Sequence, residues 1–268
     1  MKGKVVLVTG ASGGLGTYIT QAFLDTGATV VGTSRKIQQS DFADSNFTAI
    51  PGEISTAAAA ITLLDTVVAR LGRLDVLAHT VGGFAGGQMV ADTDDATLQR
   101  MFDLNVNSFF NIFRASIPAL RKSGGGRIVA IGSRAAVEPG AGVGAYSASK
   151  AAMVSLVKTV ALENRDAGVT ANVILPGTMD TLANRTAMLE FSAKVFVYGF
   201  EAYALVGVVF AALFVSVGVQ RVDSEAQASG FAFRLLIVPG VAALWPMLLD
   251  RWIRGLQEPP IERNPHRI

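Results

Sequence analysis

Hydrophobic and polar positions follow two alternating patterns over about the first 180 residues. Short runs rich in β-branched residues, typical of buried parallel strands, are followed by longer stretches with apolar residues at helical spacing. The runs predict six strands, at Lys4–Thr9, Thr29–Thr33, Phe47–Ile50, Leu74–Ala78, Gly126–Ile131 and Thr170–Leu175. The helical stretches are Leu15–Thr26, Thr56–Leu71, Ala96–Lys122 and Tyr146–Arg165. This order predicts an α/β domain with a doubly wound parallel sheet of the Rossmann type.

The alternation then gives way to two apolar stretches. Val195–Val219 is interrupted by a single charge, Glu201, and is longer than the ~20 residues that cross a bilayer core. It predicts a transmembrane helix, with a buried helix of a soluble domain as the alternative. Phe231–Leu249 contains two prolines and predicts a shorter, kinked second span, or else a re-entrant or interfacial segment. We therefore predict a nucleotide-binding domain at 1–187 and an α-helical transmembrane hairpin at 188–268.

The charges that flank these stretches predict an orientation. Lys194 precedes the first stretch, and the link Gln220–Gly230 between the two carries one cation and two acids. Cations are enriched in the cytoplasmic segments next to membrane spans. We therefore expect the domain and the C-terminal tail on the cytoplasmic side of the inner membrane, and the N-terminus has no secretion signal. The cations that follow the second stretch are Arg251, Arg254, Arg263 and Arg267.

Composition excludes several classes of function. The chain has no cysteine, so disulfides, thiolate metal sites and cysteine nucleophiles are ruled out. Its net charge is +2 and it has no run of Lys or Arg, so we expect no nucleic-acid partner. We predict no metal site.

Candidate chemistry begins at a glycine-rich turn, Thr9–Gly16, which follows the first strand and opens a helix. Such a turn lets the backbone approach a pyrophosphate that rests on the helix N-terminus. The second strand ends in Ser34-Arg35-Lys36, with no acidic residue to bind a ribose 2′-hydroxyl. Two cations there are suited to a 2′-phosphate, although a solvated turn would look the same. The sequence favours NADP(H) over NAD(H).

A tyrosine and a lysine at helical spacing are the candidate reacting groups. Tyr146 and Lys150 lie four residues apart and so share one face of a helix. A lysine ammonium beside a phenol favours the phenolate, so the phenol can exchange a proton with a carbonyl or alcohol. Ser133, after the fifth strand, could hydrogen-bond the same oxygen. By itself, such a pair is more often a surface pair.

These features, together with Pro176-Gly177, resemble the short-chain dehydrogenase/reductase family in order and spacing over about residues 1–185. The resemblance implies four catalytic residues: Ser133, Tyr146, Lys150 and Asn105. It implies a cofactor site made of Thr9, Gly10, Ser12, Gly14, Leu15, Gly16, Ser34, Arg35, Glu53, Tyr146, Lys150, Pro176, Gly177 and Thr181. Lys150 would also hold the nicotinamide ribose, and Asn105 would support a proton-relay water.

The chain departs from the family pattern in three places. His79-Thr80-Val81-Gly82 replaces the usual Asn-Asn-Ala-Gly, and we expect His79 to be structural. Glu53 stands where an aspartate normally meets the adenine. The substrate lid and the seventh strand that normally follow Thr181 are not recognisable, so we expect six strands and an open sheet edge.

We therefore expect a membrane-tethered NADP(H)-dependent oxidoreductase that interconverts a carbonyl and an alcohol, with Tyr146 as general acid and base. Its expected partners are a small-molecule substrate, the lipid bilayer and a second copy bound through the helices around Asn105 and Tyr146. The pocket walls Val81–Gly87 and Ala135–Ala145 are small and apolar, which favours a lipophilic substrate. The alternatives are a catalytically impaired nucleotide-binding sensor or scaffold, and a non-functional fusion.

Overall fold

A parallel sheet forms the centre of the N-terminal part in the computed structural model, which describes residues 1–219 and 231–255. The strands are β1 (Val5–Thr9), β2 (Thr29–Thr33), β3 (Phe47–Ala49), β4 (Val76–His79), β5 (Arg127–Ile131) and β6 (Thr170–Ile174). Their order is β3-β2-β1-β4-β5-β6, and all neighbours are parallel. The chain reverses its direction of winding between β1 and β4, where open α/β sheets bind ligands. The predicted six-stranded Rossmann-type sheet is confirmed.

Five helices flank this sheet: α1 (Gly16–Asp25), α2 (Ala57–Leu71), α3 (Asp95–Phe102), α4 (Ser108–Lys122) and α5 (Gly144–Glu163). Helices α2, α4 and α5 bury their apolar residues against one face, around Phe109, Leu64 and Met153. On the other face α1 packs with the segment after β2, around Leu24 and Phe42. The side chains of β6 that point to this second face are exposed; they are Thr170, Asn172 and Ile174.

The predicted helix Ala96–Lys122 is instead two helices joined by a π-helical turn, Asp103–Asn107. A π turn inserts one residue into the helical repeat and is frequently found at functional sites. The turn contains Asn105, whose side chain is fully buried. The apolar spacing continues through the turn, so the sequence pattern gives no sign of it.

A buried carboxylate fastens the start of β1 to the segment before β4. Asp75 accepts hydrogen bonds from the Arg73 guanidinium (2.6 and 2.8 Å), from Lys4 Nζ (3.0 Å) and from the Val5 N–H (2.9 Å). Burial raises the pKa of Asp75, but the bonds from Arg73, Val5 and Lys4 outweigh burial and hold this pKa below its usual value. The carboxylate therefore stays ionised in the folded protein.

The chain divides into two compact units, Met1–Asn184 and Arg185–Ile268. A long helix, α6 (Leu182–Leu213), begins just before this boundary and continues into a π turn, Phe214–Gly218. Its part Ser192–Gly218 has 27 residues and a mean hydropathy of 2.1, and it is the one continuous helix among the described residues that is long and apolar enough to span a bilayer. At 1.5 Å per residue it measures about 40 Å.

The second apolar stretch is broken, so the expected second span is not one continuous helix. Helices α7 (Phe231–Ala243) and α8 (Trp245–Arg254) meet at 104° around Leu244. The predicted kink is present, and it lies at Pro246, which has no N–H to continue α7 and instead opens the first turn of α8. Pro239 is accommodated inside α7. The link at 220–230 and the tail at 256–268 lie outside the described residues.

Packing within the second unit uses small residues and aromatic rings. A side chain at Gly207 would collide with the Ala242 carbonyl, so α6 and α7 approach each other closely there. The Phe210 ring is close to both Trp245 and Trp252, at centroid distances of 6.4 and 6.1 Å. These contacts hold α8 against α6.

Candidate active site

The glycine-rich turn leaves a helix N-terminus open for an anion. Gly10 has φ +77°, and a side chain there would lie 2.7 Å from Thr80 Oγ1. Its N–H donates to the Thr33 carbonyl (2.7 Å), which fixes the turn on β2. Helix α1 then begins at Gly16 with Leu15 as its N-cap residue and no side-chain cap. Its first N–H groups and the positive end of its dipole therefore suit a phosphate.

A cleft of about 520 Å³ lies beside this turn, at the carboxyl ends of the central strands. Six of the predicted cofactor residues line it, namely Thr9, Gly10, Ser12, Ser34, Arg35 and Glu53. The Ser12 and Ser34 hydroxyls are 2.6 Å apart and join the turn to the end of β2. The cleft is also lined by Gly13 of the predicted glycine-rich turn, by Lys36 of the predicted pair of cations and by Val81 and Gly82 of the predicted pocket wall. The prediction did not include the other lining residues: Thr33, Gly52, Ile54, Ser55, Thr80, Asp103, Leu104 and Ser108.

Thr80 is the most informative of the missed residues. Its hydroxyl donates to the Thr9 carbonyl (2.7 Å), so it holds the glycine-rich turn against the end of β4. The signal was present in the sequence, because Thr80 belongs to the stretch that departs from the family pattern.

The remaining predicted cofactor residues lie around the turn and after β6. A side chain at Gly14 would come within 3.4 Å of Thr181, so these two residues are neighbours. The Pro176 carbonyl accepts a hydrogen bond from the Arg134 N–H (2.9 Å), which ties the segment after β6 to the segment after β5. Gly177 lies in open space next to Pro176.

Lys150 is buried beneath the loop that follows β4. Its Nζ donates to the Ile131 carbonyl at the end of β5 (3.0 Å). Burial lowers the pKa of Lys150 from 10.5 to about 8, so the ammonium still predominates at neutral pH. A side chain at Gly82 would lie 3.0 Å from this Nζ and 2.9 Å from Asn105 Oδ1. Gly82 is therefore required for the loop to pass this closely.

Asn105 fixes the same loop from the π turn. Its Oδ1 accepts from the Gly83 N–H (2.9 Å), and its Nδ2 donates to the Gly83 carbonyl and to Ser149 Oγ, both at 3.0 Å. Ser149 in turn donates to the Tyr146 carbonyl (2.8 Å). The π turn, the loop after β4 and the first turn of α5 thus form one hydrogen-bonded unit.

The two remaining predicted catalytic residues are Ser133 and Tyr146. Ser133 Oγ accepts from the Ala135 N–H (3.2 Å), which leaves its own proton available to donate. Tyr146 is half-buried near the start of α5, and no described residue hydrogen-bonds to its hydroxyl. Its ring meets that of Phe84 edge to face, at a centroid distance of 5.0 Å. Phe84 also lines a second cavity of about 290 Å³ beside Ala145.

His79 has the structural position expected of it. It is fully buried, and its Nδ1 lies 2.9 Å from the Thr9 hydroxyl. Burial, and secondarily the charge of Lys150, lowers the pKa of His79 to about 3. The imidazole is therefore neutral and packs edge-on against Phe109. Among the described residues there is no cluster of three or more His, Asp or Glu that could bind a metal.

This site and fold place the chain among the oxidoreductases that bind a nicotinamide cofactor. The short chain dehydrogenase family matches residues 4–190, and the chain belongs to that family. It is 35% identical over 195 residues to the 2,3-dihydro-2,3-dihydroxybenzoate dehydrogenase of Escherichia coli (strain K12). The aligned residues make up 72% of this chain and 76% of that protein.

Two further comparisons agree with this assignment. The 3-oxoacyl-[acyl-carrier-protein] reductase FabG of Salmonella typhimurium is 30% identical over 184 residues, which are 67% of this chain and 75% of that protein. A short-chain dehydrogenase structure from Streptomyces avermitilis superposes with a TM-score of 0.62 at 33% identity, over 67% of this chain and 68% of that one.

Proposed function

We propose that this protein is an NADP(H)-dependent oxidoreductase that interconverts a small-molecule carbonyl and an alcohol. The observation that carries the proposal is the hydrogen-bonded unit that joins Asn105, Gly83 and Ser149 to the backbone of Tyr146, with Lys150 buried beside it. Holding reacting groups in a fixed arrangement is a main source of catalytic rate.

The cleft fits a phosphorylated dinucleotide. The uncapped N-terminus of α1 and the glycine at position 10 suit the pyrophosphate, since any larger residue at Gly10 would meet Thr80. Arg35 and Lys36 line the same cleft, where their charges would bind a 2′-phosphate. Glu53 also lines it and would meet the adenosine. The bound cofactor supplies or accepts the hydride.

The chain's own residues supply the proton transfer. Tyr146 gives its hydroxyl proton to the carbonyl oxygen of the substrate during reduction and takes it back during oxidation. The Lys150 ammonium, one helical turn away, stabilises negative charge on the tyrosine oxygen. Ser133 donates its free proton to the same substrate oxygen as charge develops there.

The test compares Tyr146→Phe with the wild type in NADPH oxidation, using the full-length protein in detergent with a panel of ketones and aldehydes. We expect turnover to fall by at least ~100-fold, in line with the loss of a general acid, while the Kd for NADPH changes little. Tyr18→Phe, at an exposed tyrosine of α1, is the matched control. Equal turnover in wild type and Tyr146→Phe would refute the assigned role.

We further propose that Ser192–Gly218 spans the inner membrane and that α7 and α8 together return the chain across it as one broken span, which leaves the catalytic domain and the C-terminus in the cytoplasm. Many apolar side chains of Ser192–Gly218 are exposed, as in a lipid-facing helix. Retention of the protein in membranes after alkaline carbonate extraction tests this proposal. A homodimer through α4 and α5 would cover Leu104 of the π turn and Phe110 of α4, which are exposed, and sedimentation of the detergent-solubilised protein tests it.

A further inference from the structure

Phe84 is an exposed aromatic side chain next to the proposed acid. The residue is 66% exposed, although its ring packs edge to face with the Tyr146 ring at a centroid distance of 5.0 Å. A phenylalanine left in water forfeits the free energy that burial would supply. An apolar side chain in this position therefore suits contact with a ligand better than a role in the core.

The loop that carries Phe84 is held at both ends. Before it, Gly83 is clamped through its N–H and its carbonyl by the Asn105 side chain. After it, Gly87 donates its N–H to the Gly142 carbonyl (2.9 Å), in the segment that leads into α5. The Phe84 ring is thus presented by a fixed loop, and it needs no rearrangement to meet a ligand.

The wall of the cavity that Phe84 lines, which measures about 290 Å³, contains both small and polar residues. The small residues are Ala85, Gly86, Gly142, Gly144 and Ala145, the residue just before Tyr146, and the polar residues are Gln88, Thr93, Thr97 and Arg100. A side chain at Gly86 would lie 2.7 Å from the Phe84 ring, so the glycine keeps this space open. The volume is at the lower end of the range for small-molecule sites, which are about 300 to 1,000 Å³.

We propose that Phe84 forms one wall of the substrate site and selects substrates whose carbonyl is attached to a flat ring. Such a ring would lie against Phe84 while the oxygen reaches Tyr146. This inference rests on the proposed function for the identity of the reacting residue. Aromatic pairs in this geometry gain about 0.5 to 1.5 kcal/mol beyond burial, which corresponds to a preference of about 2- to 10-fold over a saturated ring of similar size.

Two ketones of nearly equal size test the wall, acetophenone with a flat ring and cyclohexyl methyl ketone with a puckered one. Their Kd values for the full-length protein in detergent with NADP⁺ are measured by saturation-transfer NMR titration. We expect the wild type to bind acetophenone about 2- to 10-fold more tightly, and Phe84→Leu, which keeps an apolar side chain, to bind both equally. Met89→Leu, at an exposed residue of the same segment that does not line the cavity, should keep the wild-type ratio.

The outcomes separate this inference from the proposed function. Failure of both ketones to bind, equal binding in the wild type, or a ratio that Phe84→Leu leaves unchanged would each overturn the role of Phe84. NADPH oxidation with the same two ketones then reports on the reaction. Selective binding without turnover would leave the Phe84 wall standing and count against the proposed oxidoreductase activity.

Discussion

Burial of the Lys150 ammonium gives a quantitative prediction about stability and pH. The pKa of Lys150 is about 8 in the folded chain, against 10.5 for a lysine in water. The unfolded chain therefore binds a proton that the folded chain has lost between these two pH values, so stability rises with pH across this window. At about 1.36 kcal/mol per pH unit, the rise from pH 8 to 10.5 amounts to about 3 kcal/mol. Below pH 8 the full cost of burying the charge is present.

The perturbation that isolates this effect is Lys150→Met, which keeps the apolar stem and removes the charge. Calorimetry of the cofactor-free, full-length protein in detergent would follow unfolding of the N-terminal unit at pH 7 to 10.5. For a unit of this size about 1 kcal/mol shifts the Tm by about 2 to 4 °C. We expect the difference between the Tm of the wild type and the Tm of Lys150→Met to change by about 6 to 12 °C in favour of the wild type between pH 8 and pH 10.5.

The control is Lys158→Met, at an exposed lysine two turns further along α5. Its Tm should follow that of the wild type at every pH. Parallel Tm curves for the wild type and Lys150→Met from pH 7 to 10.5 would contradict the reasoning, because they would mean that the folded chain does not disfavour the ammonium.

Three further substitutions test the cofactor site and the fold. Arg35→Ala should raise the Kd for NADPH about 10- to 100-fold and leave that for NADH nearly unchanged, as measured by fluorescence titration. Asp75→Asn should cost about 1 to 2 kcal/mol in thermal unfolding, since two partly exposed cations lose their partner; the wild type should lose the same stability as the pH falls through the lowered pKa of Asp75. Gly10→Ala should destabilise by about 1 to 3 kcal/mol and weaken NADPH binding. Gly3→Ala, at a similar positive φ but in open space, should have the smaller effect, and equal effects would exclude a role for the contact with Thr80.

Much of the fold was predictable because each buried strand appears in the sequence as a short apolar run. Val5–Val8 and Thr29–Thr33 are almost entirely apolar or β-branched, a composition typical of strands that are buried on both faces of a parallel sheet. The glycine-rich turn was predictable for a similar local reason. Gly10 adopts a positive φ, which glycine allows at little cost. The turn itself requires this φ, so the glycine is visible in the local sequence without knowledge of distant contacts.

The remaining features depend on contacts that local patterns do not encode. The π turn at Asp103–Asn107 keeps the apolar spacing of a regular helix, and its position becomes clear only when Asn105 meets Gly83 across the cleft. Pro239 and Pro246 are equivalent signals in the sequence, yet only the second lies at the break. The role of Phe84 depends on Tyr146, which is about sixty residues away in the chain.

Strand β6 lies between the outer edge of the sheet and the segment that carries Ser133. No strand of the described residues pairs with its outer side, and its inner side holds the segment around Ser133 through Gly132, whose N–H donates to the Ile174 carbonyl (2.8 Å). A Cβ at Gly132 would lie 2.8 Å from a side-chain atom of Val173, so the segment after β5 packs closely against β6. A peptide that paired with the outer side of β6 would therefore lie one strand away from the segment that carries Ser133.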